Sequence, residues 1–369
     1  MRILIAPDKF KGSLKAMEAA EAIRDGFSRV FPDAHYDLSP IADGGEGTAA
    51  IFHQSMEGEL IETKAHDALD RAISANYSWF ADKKMAVIEM SEASGLWRLL
   101  ASELNPLQAT TYGTGELIAH AIKHGAESIL VTLGGSATND AGIGMASALG
   151  WKFLDATDNE MHVRPNSFSM IHRIVPPAER SSCRITALCD VTNPLLGPNG
   201  ATYTYGPQKG ATPSMLETLE AGITHVADLC RDHLYLDFRD TPGAGATGGL
   251  AFGLMTFCNA TVEPAFATVS ELLDLKAKTL EVDLVITGEG RLDAQSLHGK
   301  GPVEVANLAR QHHTPVIAFA GEITGSLAAF DACIPITNGA LTLEESQSRA
   351  AELLRDAAER TARLIKISL

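Results

Sequence analysis

The chain has 369 residues, 45% of them hydrophobic and 21% charged, with a formal net charge of −16. That length favours about two domains with room for a large core. The acidity disfavours nucleic acid or an anionic membrane surface as a partner, so a bound anion would need a local positive charge.

The opening residues, MRILIAP, read as a short apolar strand stopped by proline, too short for the apolar stretch of a secretory leader. DKFKGS follows as a loop, and LKAMEAAEAIRDGFSRVF as an amphipathic helix with Ser13 as its expected N-cap. HYDLSPIA predicts a second strand ending in DGGEGT, and AAIFHQSM the next helix. A β-α-β-α order with polar loops after both strands predicts a parallel sheet whose C-terminal strand ends carry a site. LIETKAHDAL, AISANYSWF and KMAVIEMS predict an antiparallel or mixed meander. A helix and strand in GTGELIAHAIKHGAESILVTLGG, a strand in ITALCDV and a glycine-rich helix in GGLAFGLMTFCN complete the middle.

Towards the C-terminus, DLVIT predicts a strand, GEGRLDAQSLHGKG a loop, and PVEVANLARQHH a helix with proline in its first turn. PVIAFAG and ACIPIT predict further strands, and LTLEESQSRAAELLRDAAERTARLIK one long terminal helix. The expected architecture is α/β, with a second α/β domain (residues 61–280) inserted into a first one made of residues 1–60 and 281–369. No run approaches a membrane span. Cys183, Cys189, Cys230, Cys258 and Cys333 form no C-x-x-C pair, as expected of reduced thiols in the cytoplasm. The histidines show no H-E-x-x-H spacing.

A P-loop signature and a G-x-G-x-x-G after the first strand are both absent, which disfavours the usual nucleotide folds. The loop GGSATNDAGIGMA is nevertheless suited to an anion. Glycines such as Gly134 and Gly135 let backbone N–H groups approach closely, the hydroxyls of Ser136 and Thr138 add donors, and Asn139 is a further candidate contact. A tight strand-to-helix turn would explain the same glycines. GAGATGG is a second loop of this type.

Asp8, Asp43, Glu46, Asp190, Glu289 and Asp293 each fall at or just past a predicted strand end. One such acid is an ordinary turn former; six suggest carboxylates gathered for Mg²⁺, with one serving an attacking hydroxyl. Lys9, Lys11, Lys209, Arg291 and Lys300 lie beside these acids or flanked by glycine, where an anionic substrate would be held.

Taken together, IAPDKFKGSL, ADGGEGT, TTYGTGEL, GGSATNDAG, CDVTNPLLGPNGA, GPQKGAT and ITGEGRLDAQSLHGK resemble the bacterial glycerate kinases of the non-P-loop, two-domain type, in order over nearly the whole chain. The resemblance implies a Rossmann- or flavodoxin-like domain interrupted by a second α/β domain. It implies transfer of phosphate from ATP to D-glycerate with Mg²⁺, mostly giving 2-phosphoglycerate and alternatively 3-phosphoglycerate. It implies catalytic roles for Asp293, Asp190, Lys300 and Arg291, with Asp190 and Asp293 near the metal and Asn193 in the substrate site. Two departures stand out: Ala141 occupies a position where many relatives have a second glycine, and residues 158–175 lack the family's glycine-rich character. A nicotinamide-dependent hydroxyacid dehydrogenase would need a fingerprint loop and a catalytic histidine, and a two-lobed anion-binding protein would not need so many acids.

Overall fold

The computed structural model describes residues 1–42, 45, 47–56, 58–292, 301–324 and 328–368. The chain divides into two compact units, Met1–Asp43 with Ala265–Leu369, and Gly44–Pro264. Both crossings differ from the boundaries expected at residues 60 and 280, for local reasons. Helix Thr48–Ser55 is bonded to strands of the second unit: Ser78 Oγ donates to the Ala49 carbonyl at 3.3 Å, and Glu89 accepts from the Gly47 and Ala49 N–H groups. Helices Ala265–Leu272 and Leu275–Leu280 belong to the first unit, where Lys278 Nζ donates to Ser39 Oγ at 2.6 Å and Thr314 Oγ1 to the Thr279 carbonyl at 3.1 Å.

The first unit is built on a five-stranded, wholly parallel sheet in the order Ala332–Pro335, Val316–Ile323, Leu284–Leu292, Arg2–Ile5, His35–Leu38. Its inner strands are almost continuously apolar, as strands covered on both faces must be; Ile3, Leu4, Ile5, Val285 and Ile286 are fully buried. Helices Ala16–Ser28 and Ala350–Ser368 share this core through Phe27, Leu354 and Ala358. A large apolar side chain buried this way contributes about 1.5–3 kcal/mol.

Three local expectations change. The first helix starts at Ala16: Ser13 Oγ donates to the Phe10 carbonyl in a turn, and Glu18 reaches back to the Lys15 N–H at 2.9 Å to satisfy the helix end. The strand after Asp283 runs on to Leu292, pairing Glu289 with Ala320 and Arg291 with Glu322, so GEGRL is strand and not loop. The terminal helix is two helices, Leu343–Ser348 and Ala350–Ser368, the shorter one closed by a reciprocal cap between Thr342 and Glu345.

The second unit carries a six-stranded sheet in the order Thr261–Glu263, Arg184–Leu188, Ser128–Thr132, Met85–Glu89, Ala72–Phe80, Glu59–His66. Its first four strands are parallel, and the other two form the antiparallel meander. A 22-residue helix, Pro213–Leu234, escapes the sequence reading. It begins at a Thr212 cap with proline at its first position and buries Leu219, Ile223, Val226 and Cys230, one stripe of a 3.6-residue repeat. Among the described residues no helix is long and apolar enough to cross a membrane.

Candidate active site

In the first unit the strand order reverses between Arg2–Ile5 and Leu284–Leu292: the former continues to His35–Leu38 on one side, the latter to Val316–Ile323 on the other. Loops leaving such a point diverge and open a crevice beyond the carboxyl ends of the strands. Asp8 lies there, 6% exposed; its N–H donates to the Gly288 carbonyl at 2.8 Å and its Oδ1 accepts from the Lys9 N–H at 2.6 Å. A Cβ on Gly301, the first residue of helix Gly301–Gln311, would stand 3.8 Å from Asp8 Oδ2. The carboxylate therefore sits near the positive end of a helix dipole. Glu289 and Arg291 occupy alternate positions at the end of the neighbouring strand and so share a face. Arg291 is 60% exposed and 3.7 Å from Glu322, a surface pairing of little energetic weight. Lys11 is exposed and Lys9 half-buried.

In the second unit the loop after Ser128–Thr132 is closed by several of the motifs at once. Asp140, 1% exposed, accepts at Oδ2 from the Thr111 N–H (2.7 Å), the Thr111 hydroxyl (2.8 Å) and the Gly144 N–H (3.2 Å), and at Oδ1 from the Gly142 N–H (3.1 Å). Burial pushes its carboxyl above the ordinary range, and these hydrogen bonds pull it back. Lys209, also 1% exposed, donates from Nζ to Ser136 Oγ at 2.8 Å and to the Thr138 carbonyl at 2.6 Å. Burial lowers its ammonium to about 7, against an opposing pull from Asp140.

The glycine-rich turn of GAGATGG packs on the same backbone. The Ala141 N–H donates to the Gly248 carbonyl at 3.0 Å, and a Cβ on Gly248 (φ +71°) would run into the Thr138 carbonyl. Asn139, fully buried, donates from Nδ2 to Thr202 Oγ1 at 3.2 Å. Thr138 Oγ1, Asn139 Oδ1 and Thr247 Oγ1 are buried with no hydrogen-bond partner in the protein. Buried polar atoms are nearly always satisfied, so three around one knot of backbone set this loop system apart. Ala141 takes φ +51°, the left-handed region that a glycine would occupy without strain.

The structure thus gathers Gly134, Gly135, Ser136, Thr138, Asn139 and Lys209 in one loop system. Asp190 stands exposed two residues past strand Arg184–Leu188. The Asn193 side chain donates to the Asn199 carbonyl and accepts from the Tyr205 hydroxyl, both at 2.7 Å. Asp43, Glu46, Asp293 and Lys300 lie outside the described residues. Among the described residues no group of three or more His, Cys, Asp or Glu side chains forms a metal cage. Sequence reasoning missed Asp140, Thr111 and Glu89. Asp140 and Thr111 stand inside motifs that were quoted, but their partnership spans 29 residues and leaves no local pattern.

Fold and site together fit an α/β enzyme that handles a small anionic substrate at its strand ends. Comparison with known proteins sharpens this. Residues 3–366 match the model of the glycerate kinase family. The chain is 44% identical to the glycerate kinase of Bacillus subtilis (strain 168), covering 100% of this chain and 98% of that protein. It is 42% identical to the glycerate 2-kinase of Escherichia coli (strain K12), covering 94% and 93% respectively. A crystal structure of a chain assigned as glycerate kinase 2 in Salmonella typhimurium LT2 superposes with a TM-score of 0.88 at 41% identity, covering 100% of this chain and 99% of that one. The chain belongs to the glycerate kinase family. Its reaction class is phosphoryl transfer to an alcohol group, and the dehydrogenase and binding-protein readings gain no support from these matches.

Proposed function

We propose that the chain transfers the γ-phosphoryl group of ATP to the 2-hydroxyl of D-glycerate. A bond forms between the glycerate oxygen and γ-phosphorus, the bond to the β,γ-bridging oxygen breaks, the hydroxyl proton is released, and ADP leaves. The observation that carries this reading is the buried loop system around Asp140 and Lys209, into which the second unit's glycine-rich motifs are tied and where Thr138 and Asn139 keep unsatisfied polar atoms. The name of the Escherichia coli relative supports the 2-hydroxyl as acceptor.

Mg²⁺ fits this reading because it needs only one or two protein carboxylates alongside phosphate oxygens and water, and Asp190 is an exposed carboxylate at a strand end. When bound it would neutralise charge on the phosphates. Asp190 would hold it, Arg291 and Lys300 would bind anionic groups, and Asp293 would orient the attacking hydroxyl. Asp8, Glu289, Lys9 and Lys11, at the strand-order reversal, are assigned to substrate or phosphate binding. The five free cysteines fit a reducing cytoplasm.

Incubation with ATP, Mg²⁺ and D-glycerate should release ADP in proportion to glycerate, and chelation should abolish release. Phosphorus–proton correlation spectroscopy of the product should couple phosphorus to the single C2 proton. Coupling to the C3 methylene would overturn the regiochemistry, and no glycerate-dependent ADP would overturn the reading.

A further inference from the structure

Lys209 is the least expected side chain in the fold. Lysine is almost never fully buried unless it is paired. Here its recorded partners are a hydroxyl and a carbonyl, and Asp140, the nearby carboxylate that opposes its deprotonation, is occupied by Thr111, Gly142 and Gly144. A well-packed apolar side chain of similar length would stabilise such a site at least as well. What the lysine provides is a fixed backbone from Ser136 to Thr138, clamped at both ends by its ammonium group. In and beside that stretch, Thr138 Oγ1 and Asn139 Oδ1 have no protein partner although both residues are fully buried.

The turn packed against them is strained as well. Thr247, Gly248 and Gly249 are three consecutive left-handed residues, at φ +52°, +71° and +85°. A β-branched residue there is an outlier that persists only when its surroundings enforce it. Its hydroxyl is likewise buried and unpartnered.

We propose that Lys209 is a positioning residue: it clamps Ser136–Thr138 so that Thr138 Oγ1 and Asn139 Oδ1 meet the carboxylate and the non-reacting hydroxyl of the acceptor substrate, and it does not itself bind the transferred phosphate. The inference rests on the kinase reading and names how the acceptor is held. An amide oxygen only accepts, so Asn139 Oδ1 calls for a donor, which a substrate hydroxyl supplies; the Thr138 hydroxyl can donate to an anionic oxygen. D-glycerate offers a carboxylate and, in the 3-hydroxyl that does not react, a donor, whereas the phosphate chain of ATP offers acceptors alone.

Thr138→Val tests the ligand side. It replaces an unpartnered hydroxyl by a methyl of the same shape, so Tm should hold or rise. KM for D-glycerate should increase at least about tenfold, the effect of one lost hydrogen bond to a charged group, with KM for ATP within about twofold of the parent. Lys209→Met tests the clamp. Below pH 7 Tm should again hold or rise, relief of the buried charge offsetting the stranded Thr138 carbonyl, while kcat/KM for glycerate falls by at least about tenfold, and a second substitution Thr138→Val in that background should add little because the two act as one unit.

The proposal is overturned if Thr138→Val leaves both KM values unchanged, if KM for ATP rises instead of that for glycerate, or if Lys209→Met keeps full kcat/KM. Should the parent protein not phosphorylate glycerate at all, the kinase reading fails separately. The clamp is then judged by D-glycerate's thermal stabilisation, which should be present in the parent and lost in Thr138→Val; equal stabilisation of both would overturn it.

Discussion

Asp140 and Thr111 lie 29 residues apart in sequence and are joined twice, the backbone N–H and the hydroxyl of Thr111 both donating to Asp140 Oδ2 at 2.7 and 2.8 Å. The same hydroxyl accepts from the Met145 N–H at 2.9 Å. Thr111→Val keeps the shape and the backbone N–H bond but deletes both bonds of the hydroxyl, leaving the Met145 N–H unsatisfied and a buried carboxylate short of one donor. The expected loss is about 1–3 kcal/mol of stability. Thr111→Ser, which keeps the hydroxyl, should retain most of it. Urea midpoints of the two variants decide the matter; a valine variant as stable as the parent would show that the backbone N–H groups of residues 111, 142 and 144 hold the carboxylate without the hydroxyl.

Glu89 ends strand Met85–Glu89 and accepts at Oε1 from the N–H groups of Gly47 and Ala49, at 2.9 and 2.8 Å. It therefore anchors the start of helix Thr48–Ser55 to the sheet, placing a negative charge where the helix dipole is positive. Glu89→Gln preserves an acceptor oxygen but removes the charge. We expect a loss of about 0.3–2 kcal/mol, at the upper end because the site is partly buried. The cost should change little with salt, since Glu89 is only 7% exposed. A cost that vanished in moderate salt would assign the effect to general surface electrostatics.

The burial of Lys209 makes a pH-dependent prediction. Its pKa is about 7 in the folded protein against an ordinary 10.5. Below 7 both states carry the proton, and the folded state bears the full cost of a buried charge. Between 7 and 10.5 the unfolded chain binds more protons than the folded one, so this group's contribution to stability rises with pH across that window. Lys209→Met removes the group. The variant should exceed the parent in stability by most below pH 7, and the gap should close as pH approaches 10.5. Urea midpoints measured across that range give the gap directly; one that is constant with pH would mean the ammonium is not desolvated.

How much of this could be read from sequence follows from what is local. Strands such as Arg2–Ile5 and helices such as Tyr112–His124 announce themselves by apolar period and by flanking proline or glycine. The extension of DLVIT into GEGRL does not, because glycine and charge argue against a strand. Gly288 is there because its Cα lies so close to the Phe319 carbonyl that no Cβ fits. The helix Pro213–Leu234 does carry a readable stripe, Leu219, Ile223, Val226 and Cys230, but its many polar residues dilute the signal. At the site, Ser136, Thr138, Asn139 and Lys209 were legible as residue types in glycine-rich loops. Their burial was not. A lysine in GPQKGA looks like a surface cation until the fold closes the Ser136–Thr138 backbone over it. Ala141 was noted as a departure, and its φ of +51° explains why glycine is the easier residue there.

The last prediction concerns the residue that orients the attacking hydroxyl. Asp293 and Asp190 both fall just past strand ends in long motifs, and Asp190 is exposed. Asp293 follows strand Leu284–Leu292 directly, one residue beyond the buried Leu292 and two beyond Arg291, the exposed cation on that strand's final turn of sequence. Along the sequence it falls between Arg291 and Lys300, two cations that we assign to anion binding. In a loose phosphoryl-transfer transition state little negative charge builds on the attacking oxygen, so its main work would be to hold the hydroxyl in line and accept its proton late. The competing account makes Asp293 an ordinary cap for the chain that follows. Asn caps as well as Asp does, so Asp293→Asn separates the two: capping survives, charge does not. We expect kcat to fall by at least about a hundredfold, the lower range for a general base, with KM for ATP and the melting temperature close to those of the parent. Turnover at the parent's rate would remove Asp293 from the chemistry and pass the role to Asp190, for which Asp190→Asn with a titration of Mg²⁺ dependence is the matching measurement. A variant of Asp190 that recovers activity at high Mg²⁺ holds the metal; one that stays inactive at every concentration orients the hydroxyl.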